Sequence, residues 1–99
     1  MNQSMTKSPV ALAQKALQVA QASLEPYSNK YSPRRYTQPQ LFTILVLRQF
    51  FKTDYRGIEQ MLYDFSDLRQ LLGLKKVPDH STLQKCEARL LKKGLLKAS

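Results

Sequence analysis

Tryptophan is absent, cysteine and histidine occur once each, and the three glycines are isolated from one another. With Cys86 alone, no disulfide can form within the chain. With His80 the lone histidine, the usual Cys/His ligand sets have no members to draw on. Gly57, Gly73 and Gly94 stand too far apart to form a phosphate-cradling loop. The longest strongly apolar run, residues 41–47, is interrupted by Thr43 and falls far short of a membrane span. No stretch alternates apolar and polar residues with period two, so strands are not expected. The polar start has no apolar segment of the secretory kind, which implies a cytoplasmic protein.

Acids are scarce. Seven Asp and Glu face sixteen Lys and Arg in 99 residues, a net charge of +9. A small domain this basic is usually built to meet a polyanion. The charge is uneven. Residues 27–56 carry Lys30, Arg34, Arg35, Arg48, Lys52 and Arg56 against Asp54 alone. Residues 74–99 carry Lys75, Lys76, Lys85, Arg89, Lys92, Lys93 and Lys97 against Asp79 and Glu87. The segment between them is net acidic, so two contact surfaces are expected rather than a uniform coat.

The chain divides by composition into four parts. Residues 1–26 form a tail and a weak Ala/Gln-rich helix opened by Ser8-Pro9. Its stripe of Leu12 or Ala13, Ala16, Leu17, Ala20 and Leu24 is mostly small side chains, which predicts loose docking or pairing with a partner. Residues 27–36 read as a linker in which Tyr27, Tyr31 and Tyr36 interleave with Lys30, Arg34 and Arg35. Such an arm suits phosphate or minor-groove contact, or else is a solvated tether. Residues 37–94 form a helical domain, and 95–99 a tail.

Within that domain Thr37 and Gln40 have capping-box spacing. The helix behind them is apolar almost all round, from Leu41 to Phe51, and is expected to be buried from several sides with Phe50 and Phe51 in the core. Thr53 or Asp54 restarts the chain, and Tyr55, Ile58, Met61, Leu62 and Phe65 trace a second stripe. Ser66 is expected to cap a short helix carrying Leu68, Leu71 and Leu72 inward, closed by Gly73. The fold class is therefore all-α: a small bundle of four to five helices with a helix-turn-helix-like DNA-binding unit.

That unit centres on residues 77–90. Pro78 stops what precedes it, and the capping cluster of Asp79, His80, Ser81 and Thr82 opens a last helix. Leu83, Cys86 and Leu90 make one apolar stripe; Thr82, Lys85, Arg89 and Lys92 make a basic one at the same spacing. Side chains near the start of a recognition helix reach base edges, so Ser81, Thr82, Gln84 and Lys85 are the candidate base or near-base contacts. Arg89, Lys92 and Lys93, with Lys75 and Lys76, form the candidate phosphate clamp. The bland alternative is a solvated helix face.

Catalysis has little to build on. Asp54, Asp67 and Asp79 lie where helix starts are expected, and Glu59, Asp64 and Glu87 fall on faces read as outward. His80 has no serine, cysteine or acid placed beside it by spacing. No catalytic residue, metal ligand or cofactor is assigned.

The runs from Tyr36 to Phe42, from Leu45 to Gly57, from Leu71 to Leu74, Val77-Pro-Asp-His-Ser-Thr-Leu83 and Arg89-Leu90 resemble the N-terminal domain of bacterial insertion-sequence transposases of the DDE type. The resemblance covers residues 30–93 and leaves 1–26 outside it. It implies a helical domain that binds the terminal inverted repeats of the element. It also implies a following ribonuclease-H-like domain with three acids and divalent metal, for which residues 1–99 offer no matching positions. A truncated or decayed reading frame, or an excised fragment, would account for that. Double-stranded DNA is the expected partner, with a homodimer or a full-length transposase as a second one. No membrane or small-molecule substrate is expected, and the expected location is the bacterial cytoplasm, in association with the nucleoid. The rivals are a stand-alone transcriptional regulator and a helical protein-interaction module.

Overall fold

A computed structural model describes residues 9–25 and 36–92. It contains five helices and, among the described residues, no strand: α1 (Pro9–Ser23), α2 (Gln38–Phe50), α3 (Tyr55–Asp64), α4 (Ser66–Leu72) and α5 (His80–Lys92). The fold is all-α. The centre is α2, which packs against α1, α3 and α5; α4 is held by α1 and α3.

The start of α2 shows how sequence becomes local structure. Thr37 is extended, at φ −88 and ψ 159, and its hydroxyl accepts from the Gln40 N–H at 3.2 Å. The Gln40 side chain accepts in turn from the Thr37 N–H at 2.8 Å, completing the capping box. Two amide side chains then anchor this end to its neighbours. Gln40 Nε2 donates to the Leu72 carbonyl at the end of α4 (2.7 Å), and Gln38 Nε2 donates to the Glu25 carbonyl just beyond α1 (3.0 Å).

Helix α1 is docked, not loose. Ala13 and Ala20 are fully buried, and Val10, Leu12 and Leu17 pack on the core. The small side chains judged a weak stripe are what let its backbone approach α2 and α4 closely.

The core is formed by Ile44, Leu45, Leu47, Ile58, Leu62, Leu68, Leu83 and Leu90, all essentially inaccessible. Each such side chain contributes about 2 kcal/mol relative to exposure. Helix α2 is buried from several sides, as its apolar run predicts, with one arc left more open. Phe42, Val46 and Phe50 share an arc at i, i+4 and i+8, and cover thins along it: the first two are half-buried and Phe50 is 46% exposed. Phe50 is therefore not a core residue, contrary to the expectation from its sequence. Phe51 is half-buried and meets the Phe50 ring edge-to-face at 4.9 Å.

The α3–α4 junction also departs from the reading of the sequence. Phe65 leaves the helical stripe because the backbone turns extended there (φ −110, ψ 94), and its ring is 47% exposed. Phe65, not Ser66, occupies the N-cap of α4 and makes no side-chain cap; Ser66 is already helical. The last carbonyls of α3 are satisfied from α4, with Arg69 Nη1 donating to Leu62 O at 2.7 Å and to Tyr63 O at 2.6 Å. Gly73 ends α4 at φ 70, as its position predicts.

Candidate nucleic-acid interface

Helix α5 begins where Asp79 supplies a cap. Its Oδ1 accepts from the Thr82 N–H at 2.8 Å, and that bond foremost holds the Asp79 carboxyl below its ordinary value. Val77 and Pro78, both buried, fix the approach to the helix. Of the capping cluster, Asp79 does the capping. His80 is the first helical residue, and its Nδ1 lies 3.5 Å from Glu59 Oε1 on α3. Glu59, read as outward, is half-buried at this contact.

Leu83, Cys86 and Leu90 face inward as their spacing predicts. Burial pushes the Cys86 thiol up, opposed in part by the Arg89 charge and helped less by Glu87; this is a packed thiol rather than a reactive one.

Glu87 is the main correction. Its charge predicts an outward face, yet it is 7% exposed. Arg48 Nη2, from the last turn of α2, donates to both its oxygens at 3.0 and 2.9 Å. The Tyr55 hydroxyl, at the start of α3, donates to Glu87 Oε1. The Arg48 guanidinium also lies 4.8 Å from the Tyr55 ring centroid, and its Nη1 donates to Thr53 O at 3.2 Å. Hydrogen bonding to Glu87 raises the Tyr55 phenol above its ordinary value of 10.0, helped by burial and by the Glu87 charge and opposed by Arg48. Three helices therefore meet at one carboxylate.

The consequence for the basic face is direct. With Glu87 turned inward, the outward arc of α5 holds Ser81, Lys85, Ala88 and Lys92, all exposed, with Gln84 exposed at its edge. No acid among the described residues pairs with Lys85 or Lys92. Thr82 is half-buried at one flank. Arg89 is also half-buried: its Nη2 lies 3.7 Å from Cys86 Sγ, and its Nε is buried without a partner. Lys75 and Lys76 are exposed on the connection between α4 and α5. Lys93 and the arm residues Lys30, Arg34 and Arg35 lie outside the described residues. The connection spans residues 73–79, and α5 rests on α2 and α3. Among the described residues no group of three or more His, Cys, Asp or Glu is placed to hold a metal ion. No helix there is long and apolar enough to cross a membrane.

These features define an all-α domain that presents a basic, polar helix face from a rigid core. The family model described as Transposase domain (DUF772) matches residues 4–89. The chain belongs to this transposase-domain family. The match takes in α1, which the resemblance read from the sequence had left outside. The comparison with curated proteins found no match, and neither did the comparison with solved structures.

Proposed function

We propose that this chain is the DNA-binding N-terminal domain of a DDE-type insertion-sequence transposase, and that it recognises the terminal inverted repeats of its element. In this reading α5 is the recognition helix of a helix-turn-helix-like unit. Ser81, Thr82, Gln84 and Lys85 meet base edges or the groove floor near them. Lys92 and Lys93, with Lys75, Lys76 and the rim of Arg89, contact phosphates, and Lys30, Arg34 and Arg35 add an arm contact. In this reading residues 1–99 serve DNA binding, and strand transfer would belong to a ribonuclease-H-like domain of the transposase. It acts on double-stranded DNA in the bacterial cytoplasm.

One observation carries the reading. The acid nearest the basic stripe is committed to Arg48 and Tyr55, leaving Lys85 and Lys92 free for an external anion. The interaction-module alternative needed the stripe of α1 for a partner, but Ala13 and Ala20 are packed inside this domain.

The test is amide chemical-shift mapping with a duplex carrying the DNA that flanks the coding region. The reading expects shifts at residues 81–85, 89 and 92, small ones in α1, and weaker shifts with a scrambled duplex. Shifts confined to α1, or none, would refute it.

A further inference from the structure

Two helices end in the same hydrogen-bonded turn but close it with different residues. After α4, the Gly73 N–H donates to Gln70 O at 3.1 Å and the Leu74 N–H to Arg69 O at 2.9 Å. After α2, the Lys52 N–H donates to Gln49 O at 3.2 Å and the Thr53 N–H to Arg48 O at 3.1 Å. Each turn requires a left-handed residue, for which glycine is the usual choice. The first uses Gly73 at φ 70; the second uses Lys52 at φ 54, the sole non-glycine residue of positive φ among those described. A lysine held where its Cβ is disfavoured invites a functional explanation.

Its surroundings supply one. Arg48, Gln49, Lys52 and Thr53 line an open cleft of about 440 Å³. The lining offers a guanidinium, an ammonium, an amide and a hydroxyl, and no carboxylate. Arg48 is already committed, with Nη1 on Thr53 O and Nη2 on Glu87, so it forms a fixed wall rather than a free charge. Lys52 is exposed and pairs with no acid among the described residues. Through the Arg48–Glu87 bond this cleft is tied to the inward side of α5.

We propose that the cleft at the α2–α3 junction is a second contact for duplex DNA, taking a backbone phosphate on Lys52 with Gln49 and Thr53 as neutral donors. This rests on the reading of α5 as a DNA-binding helix. Duplex DNA is favoured over an acidic peptide because the lining is cationic and without a carboxylate, and the cleft is tied to the helix read as DNA-binding.

The test uses the full chain and a short mixed-sequence duplex, with affinity followed by fluorescence anisotropy across a salt series. Each phosphate contact adds about 0.9 to the slope of log affinity against log salt. Lys52→Gly should melt no lower than the parent, because glycine suits the left-handed position, yet its slope should be shallower by about one. Lys52→Arg should keep the parental slope. Arg56→Ala removes an exposed cation outside the cleft lining and should change the slope less. An unchanged slope for Lys52→Gly, with a reduced one for Lys85→Ala, overturns the cleft and leaves the α5 reading standing. Equal effects from Lys52→Gly and Arg56→Ala would mean diffuse charge and also overturn it. So would loss of polyglutamate binding by Lys52→Gly with duplex binding intact. If the parent fails to bind duplex at all, the α5 reading fails and the cleft proposal with it.

Discussion

Arg48 and Glu87 are 39 residues apart in sequence and meet through two hydrogen bonds, Nη2 to Oε1 at 3.0 Å and Nη2 to Oε2 at 2.9 Å. Both side chains are mostly buried, at 19% and 9% exposed. An enclosed pair of this kind is costly to break, because the survivor keeps its charge without its partner. Glu87→Gln and Arg48→Met should each lower unfolding free energy by roughly 3 kcal/mol. The combination of Arg48→Met, Glu87→Leu and Tyr55→Phe should cost less than the two charge-removing changes added together. Urea unfolding of the two single variants and the triple variant tests this, and simple additivity would contradict it.

Tyr55 should titrate late. Its phenol donates to the Glu87 carboxylate, so losing the proton would set two anions side by side. A folded value raised above the ordinary 10.0 contributes stability that is complete below that pH and disappears as pH rises through the folded value. Ultraviolet titration of the parent minus Tyr55→Phe should show one phenol ionising above 10.0, and Glu87→Gln should bring it back down.

Asp79 works in the opposite sense. Its carboxyl is held below the ordinary 3.8, mainly by the Thr82 N–H. Its contribution is therefore complete above 3.8 and is lost as pH falls through the lower folded value. Asp79→Asn keeps a capping oxygen but has nothing to titrate. Its denaturation midpoint should fall less steeply in acid than that of the parent.

Gln40 has two duties, at the Thr37 N–H and at the Leu72 carbonyl. Thr37→Ala should cost about 1 kcal/mol. Gln40→Ala should cost more, roughly 2 kcal/mol, because it also releases a carbonyl at the end of α4. Equal losses in thermal unfolding would mean that the cross-helix bond contributes nothing.

Much of this was legible in the sequence, and the exceptions have physical causes. The Thr37/Gln40 box, the inward Leu83, Cys86 and Leu90, and the closing Gly73 all follow local rules that the fold obeys. Glu87 stands at i+4 from Leu83 and i−3 from Leu90, so its position pointed inward while its charge argued outward. Arg48, at i+4 from Ile44, was the other half of the same signal. Only a pair resolves the conflict, and its two members lie on different helices. Phe50 and Phe65 lie outside the core because hydrophobicity says nothing about where cover thins along α2 or where α3 itself ends. The turn at Lys52 had no signature, since the residue that normally announces it is missing. On the candidate interface, spacing located the exposed Ser81, Gln84, Lys85 and Lys92 but not the folding back of Arg89 over Cys86.

Helix α5 turns Lys85 and Lys92 outward while its one acid, Glu87, faces the core, and in the proposed reading those lysines meet DNA. The most direct test is duplex affinity across a salt series for the parent and for Lys85→Ala combined with Lys92→Ala. Neither lysine packs in the core, so the variant should melt as the parent does. A linear fall in log affinity with log salt, shallower by about two in the variant, is the predicted result. Affinity indifferent to salt, or a slope unmoved by removing both lysines, would contradict the account.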